Sequence, residues 1–161
     1  MEQIVLTEML NDRGYSISFV SDPYIASSEV NNERILIFFS VDPKVNINTV
    51  KSLISKMTEL SLDHAIMVYK DVITSSALKA IECLENKKIE LFCVKELQYN
   101  ITKHRLVPRH EKYMKDDMKK HVDNLPVLLR TDVVCRYYDF KKGDIIEITR
   151  QNGFKIYRVV K

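Results

Sequence analysis

Glycine is scarce in this 161-residue sequence: there are three, beside four prolines, three cysteines and no tryptophan. So few glycines nearly exclude a glycine-rich phosphate loop, whose backbone must approach an anion without side chains in the way. Cys83, Cys93 and Cys135 are odd in number, widely spaced and each beside apolar residues. They imply no disulfide framework and read as reduced, buried thiols of a cytosolic or nuclear protein. No Cys-x-x-Cys is present, His104 and His110 are six apart, and His64 and His121 lie far off. A four-ligand zinc site is therefore not expected. Ser75-Ser76 lacks a Gly-x-Ser-x-Gly setting and no cysteine has a nearby histidine, so no catalytic nucleophile, cofactor or metal is expected. No apolar run approaches the roughly 20 residues that span a bilayer. The opening MEQIVLTEML carries Glu2 and Glu8 and lacks the basic start of a secretory signal, so neither a membrane nor export is expected.

What is present is a chain with 45% apolar residues, enough for one ordinary domain or two small ones. Its net charge of +3 conceals two electrostatic halves. Residues 1–100 hold 10 Lys/Arg against 14 Asp/Glu, and residues 101–161 hold 15 against 8. A basic half suits a polyanion or an acidic protein partner.

The first half reads as an α/β layer. Val5, Met9 and Leu10 fall near helical spacing, and Gly14 is a natural stop. RILIFFSV, HAIMVY and KIELFCV are apolar runs of strand length. Between them, NINTVKSLISKMTEL places Val50, Leu53, Ile54, Met57 and Leu60 on one helical face. TSSALKAIECLEN offers Thr74 or Ser75 as N-cap. Strand, helix, strand, helix, strand predicts parallel strands with right-handed crossovers. The second half changes style. RHEKYMKDDMKKHV reads as a charged helix, LPVLLRTD as extended, and DVVCRYYDF as a short helix capped by Asp132. A closing hairpin is expected at Asn152-Gly153, with a type I′ turn.

Three site readings compete. Asp71 after a strand, with Glu85-Asn-Lys87, has the spacing of a Mg²⁺-dependent nuclease, but Glu85 falls at a helix end and the pattern is short. Arg136, Tyr137, Tyr138, Lys141 and Lys142 mix cations with aromatics. They suit base stacking or, better, a protein–protein seam. KHRLVPRH (103–110) reads as the junction of the two halves. There Pro108 disfavours a helical Val107, Leu106 and Val107 tuck into a core, and His104 and His110 satisfy backbone groups.

The sequence NITKHRLVPRH, then LPVLLRTDVVCRYYDFKKGDIIEITR and YRVV, resembles the C-terminal domain of the fifth common subunit of eukaryotic RNA polymerases I, II and III. The archaeal counterpart consists of this domain alone. Matches to the family pattern fall at Asn100, Ile101, Thr102, His104, Leu106, Val107, Pro108 and His110. They continue at Leu125, Pro126, Asp132, Val134, Arg136, Tyr137, Lys141 and Gly143. DRGY, AIMVYKDVITSSALK and IELFCVKEL follow the order of the family's N-terminal jaw domain, so the resemblance is to the full-length eukaryotic or large-virus type. Departures are Thr74-Ser-Ser-Ala77 where the family has Thr-Pro-Ser-Ala, Val127 for arginine, Val133 for proline and Asp139 for glycine. Asp tolerates the positive φ that such a glycine supplies.

The resemblance implies an endonuclease-like α/β jaw over 1–100 and an α+β assembly domain over 101–161 that ends in a β-hairpin. It implies a non-catalytic polymerase subunit, without its own active site, in the lower jaw beside downstream duplex DNA. Thr74, Ser75, Ser76 and Lys79 would lie near that DNA, held non-specifically. His104, Leu106, Val107, Pro108, His110, Asp132, Arg136, Tyr137, Lys141 and Gly143 would dock on the largest subunit. Other polymerase subunits are further partners, and no homo-oligomer is expected. The location would be the nucleus, or the host cytoplasm or virion for a viral protein. The rival expectations are a free-standing nucleic-acid-binding transcription regulator and an endonuclease-like enzyme.

Overall fold

The computed structural model describes residues 2–115 and 119–161. It is a mixed α/β chain with several sheets, divided into two compact units, Met1–Tyr99 and Asn100–Lys161.

In the first unit, strands β2 (Arg34–Phe39), β4 (His64–Tyr69) and β6 (Lys88–Cys93) run parallel, with β1 (Tyr24–Ser27) antiparallel along the outer side of β2. Helices α2 (Ile47–Glu59) and α3 (Ser75–Glu82) supply the crossovers. Leu36 and Met67 face Val50, Leu53, Met57 and Ala77 in one apolar cluster. Successive residues of a strand point to opposite faces, yet Ile35, Ile37 and Ile66 are also fully buried. The sheet is thus covered on both sides, as parallel sheets are. Helix α1 (Glu2–Asp12) buries Leu6, Met9 and Leu10 and ends at Gly14, φ +85°.

Two features here escape the sequence reading. One is β1. The other is a two-residue parallel pair, β3 (Lys44–Val45) with β5 (Val72–Ile73), which ties the loops after β2 and β4 together. Neither carries an apolar run long enough to be read as a strand.

The second unit is a four-stranded sheet in the order β7 (Arg109–Lys112), β9 (Ile145–Thr149), β10 (Lys155–Val160), β8 (Val127–Leu128). Only β8–β10 is parallel. Its core is Leu128, Cys135, Ile146, Ile148 and Val160, with Phe140 and Ile156 against it. Helix α4 (Val133–Tyr138) starts at Asp132, whose carboxylate accepts from the Val134 and Cys135 amides. It ends at Asp139 in the left-handed region, φ 54°, as expected where the family has glycine.

Several expectations need correction. The charged helix expected over 109–122 begins instead as strand β7, paired with β9, and a 3₁₀ turn covers Lys119–Asn124. The expected helix positions 116–118 lie outside the described residues. Charged residues in β7 fit an edge strand, where they discourage pairing with other chains. At Asn152-Gly153 only the glycine has positive φ, +79°. The Gly153 amide donates to the Arg150 carbonyl and the Arg150 amide to the Phe154 carbonyl. This is a type I turn closed by a left-handed residue, not type I′. The cysteines are free, but only Cys135 is buried; Cys83, which caps the C-terminus of α3, is exposed and Cys93 half-buried. Burial, with Asp132 adding to it, pushes the Cys135 thiol up to about 11.

Candidate functional site

At the carboxyl end of the parallel strands, Thr74 is the N-cap of α3, its hydroxyl accepting from the Ala77 amide at 3.3 Å. Asn46 caps α2, accepting from the Asn48 and Thr49 amides at 2.8 and 3.2 Å. The Thr74 amide donates to the Val45 carbonyl at 3.0 Å, so the β3–β5 pair brings both helix starts to one end of the sheet. Ser75, Ser76 and Lys79 are exposed there, as are Lys44 and Lys70. Helix N-termini carry partial positive charge, and Lys44, Lys70 and Lys79 stand at this end together with the exposed acids Asp42 and Asp71.

Strand β6 hides a charged constellation that sequence reasoning missed. Glu90 receives both Arg13 guanidinium nitrogens at 2.9 and 3.0 Å, and His64 Nε2 stands 2.6 Å from its Oε1. Lys88 Nζ is 3.4 Å away. Arg13 and Glu90 side chains are nearly buried. Burial alone would push the Glu90 carboxyl up, but His64, Arg13 and Lys88 outweigh it and hold the group well below the usual carboxylate range. The nuclease triplet fares differently. Glu85 sits exposed in the bend after α3, Asp71 is exposed, and Lys87 donates to the Leu62 carbonyl at 3.2 Å.

The docking candidates separate into two groups. Around α4 the residues mainly build the unit. Tyr137 is buried, and the Asn100 side-chain amide donates to its hydroxyl at 2.9 Å. Asp132 is the cap already described. Gly143, φ +90°, shapes the turn into β9 and donates to the Val160 carbonyl at 2.9 Å. Lys141 is exposed and paired with Asp139, and Arg136 is half-buried.

The second group is the turn after the 3₁₀ segment Ile101–Lys103. His104 Nδ1 accepts from the Leu106 amide at 3.2 Å, and His110 Nδ1 meets the Pro108 carbonyl at 2.8 Å. Both histidines therefore satisfy backbone groups, as expected. Val107 and Pro108 are half-buried, but Leu106 is 75% exposed. The expectation that it tucks into a core is wrong. The Val107 amide closes a tight turn onto the His104 carbonyl, and that turn lifts Leu106 outward. The Gln151 side chain donates to the Arg105 carbonyl at 2.6 Å, joining this turn to the β9–β10 tip. Arg150 and Gln151 were not singled out from sequence, and Asn152 only as half of the turn dipeptide Asn152-Gly153.

The two units thus carry two candidate surfaces, the sheet end at Thr74 and the loop-and-tip surface at Leu106. Among the described residues, no constellation joins Asp71, Glu85 and Lys87 as the nuclease spacing suggested. Comparison with known proteins goes further. A family profile described as RNA polymerase Rpb5, C-terminal domain, matches residues 99–160. The chain is 32% identical over 167 residues to the Dictyostelium discoideum protein named DNA-directed RNA polymerases I, II, and III subunit rpabc1, covering 89% of this chain and 85% of that one. It is 30% identical over 134 residues to the Caenorhabditis elegans subunit RPABC1, covering 78% of this chain and 64% of that one. It is 26% identical over 171 residues to the Arabidopsis thaliana DNA-directed RNA polymerase V subunit 5A, covering 88% and 76%. The chain belongs to the Rpb5 (RPABC1) family.

Proposed function

We propose that this chain is a non-catalytic subunit of a DNA-directed RNA polymerase, acting in DNA-templated transcription in the nucleus. The observation that carries the proposal is similarity running through both units, over 89% of the chain, to a protein named as a subunit common to polymerases I, II and III. In this reading, residues 1–100 are the jaw and 101–161 the assembly domain. The assembly domain docks on the largest subunit through the 104–110 turn and neighbouring residues. The jaw stands beside downstream duplex DNA, with the end that carries Thr74, Ser75, Ser76 and Lys79 nearest the phosphates. The first unit's excess of acid, 14 against 10, suits a glancing contact rather than a grip. The buried Arg13–Glu90–His64 cluster then braces the jaw and performs no chemistry.

The test is native purification of the tagged full chain, with mass spectrometry of what returns. A subunit brings stoichiometric polymerase; a free regulator brings little, and that result would overturn the proposal. Within the assembled enzyme, Lys79→Ala should lower the slope of downstream-DNA affinity against salt by roughly one released counterion. An unchanged slope removes Lys79 from the contact.

A further inference from the structure

We propose that the groove between the 104–108 turn and the β9–β10 tip seats an acidic segment of a partner protein, with an apolar residue of that segment against Leu106. The inference rests on the docking role proposed above and names the chemistry of what docks.

The groove, about 520 Å³, is lined by Arg105, Leu106, Pro108, Arg150, Gln151 and Asn152. The hydrogen bond from Gln151 to the Arg105 carbonyl spans 46 residues of sequence, so the surface is preformed rather than assembled on binding. Preorganisation lowers the ordering cost of association. Among the described residues, neither the Arg105 nor the Arg150 side chain has an ion pair or hydrogen bond, whereas Arg13 and Arg109 are both paired. A guanidinium matches a carboxylate in a two-pronged bond, and two of them on one groove ask for acidic side chains. The unit around them carries 15 basic residues against 8 acidic, which attracts such a segment at longer range.

Apolar exposure at the same place selects a protein over a nucleic acid. Leu106 is 75% exposed, and Phe154, at the tip beside the groove, is 62% exposed. A duplex presents charged phosphates and sugars, which leave Leu106 without an apolar partner. A single strand is held by successive bases stacked on aromatic rings, and the groove's own lining has none, Phe154 standing beside it as a single ring. A peptide offers carboxylates to the arginines and an aliphatic side chain to Leu106 and Pro108. Anchors of this type, surrounded by polar groups, dominate interface energetics.

The test places a photo-crosslinking residue in the full chain, Phe154→benzoylphenylalanine, which keeps Leu106 and both arginines, in cells that make the polymerase. Light is applied before lysis, and the adduct is identified by mass spectrometry. Val30→benzoylphenylalanine, an exposed position in the first unit, gives the background. The expected adduct is a polymerase-subunit segment carrying Asp or Glu near the attachment point, reduced at least tenfold when Arg105→Glu and Arg150→Glu are added. Arg105→Ala with Arg150→Ala, which reverses no charge, should give a smaller loss. An adduct to nucleic acid, a segment without acids, insensitivity to charge reversal, or no adduct above background would each overturn the inference. The proposed subunit role is judged separately: a tagged wild-type chain that brings no polymerase sinks that role, while the adduct formed before lysis still judges the groove.

Discussion

The first unit packs its core on both faces of a sheet and the second around one smaller cluster. Both leave apolar side chains in view, Val20, Val30 and Val41 in the first. Leu36, Leu53, Met57, Ile66 and Met67 have essentially no exposure, because two faces of a parallel sheet must be covered. In the second unit the sheet has two charged or short edges, and Leu106, Leu129, Val133 and Phe154 stand 47 to 75% exposed. Charge divides the units more sharply. The acidic first unit has its central carboxylate, Glu90, surrounded by three cationic or ionisable partners, whereas the basic second unit keeps Arg105 and Arg150 without partners among the described residues. The first unit's central carboxylate is satisfied internally; the second presents two unmet guanidiniums beside an exposed leucine, which suits a partner bound there. A small module with a modest core gains stability when a partner binds its folded form.

The largest expected effect tests whether the first unit's charged centre is as self-satisfied as its geometry implies. Glu90→Gln leaves the nearly buried Arg13 facing a neutral amide, and removing one member of a buried pair costs about 3–5 kcal/mol. Hydrogen exchange should accelerate in β4 and β6 while β9 and β10 hold. The pH dependence follows from the depressed carboxyl. Its stabilisation is fully present above the free-glutamate value of about 4.3 and is lost as pH falls toward the lower folded value. The wild-type first unit should therefore weaken below about pH 4, and Glu90→Gln should flatten that acid slope. A variant that keeps the slope would assign acid sensitivity to another carboxylate.

Smaller effects come from two glycines, one in each unit. Gly14 and Gly153 have φ of +85° and +79°, and a Cβ at either meets nothing within 4 Å. Gly14→Ala and Gly153→Ala therefore change backbone strain alone, about 1–2 kcal/mol each. Hydrogen exchange reads each unit by itself. Equal losses leave the contrast between the units in their side chains; a far larger loss at one site would show backbone rigidity differing as well.

Much of the first unit's framework was legible because its signals are local. β2, β4 and β6 are apolar runs, α2 repeats at helical spacing, and Thr74, like Asp132 in the second unit, sits where its side chain can reach nearby amides. The Glu90 cluster was illegible because Arg13 and His64 are 77 and 26 residues away, and one acid inside KIELFC does not disturb a strand pattern. β7 was misread because RHEK has no apolar alternation; its strand form comes from pairing with β9. The groove was half legible. Leu106 drew notice through its motif, but apolarity suggested a core, and the hairpin tip that completes the surface is 46 residues distant at the Gln151–Arg105 bond.

The smallest expected effect bears on that misreading. Leu106→Ala removes an exposed side chain that the isolated chain has not buried, so urea unfolding should move by no more than about 0.5 kcal/mol. Truncating a buried leucine such as Leu53 costs about 2–5 kcal/mol, the transfer and cavity terms together. The contrast concerns where the side chain lies, since the atoms removed are the same. Incorporation into polymerase should respond in the opposite order, with Leu106→Ala weakening retention of an intact chain. A Leu106→Ala loss of about 2 kcal/mol or more in the free protein would mean that the leucine is packed in solution. The groove would then lack its exposed apolar anchor, and the reason for a partner there would disappear.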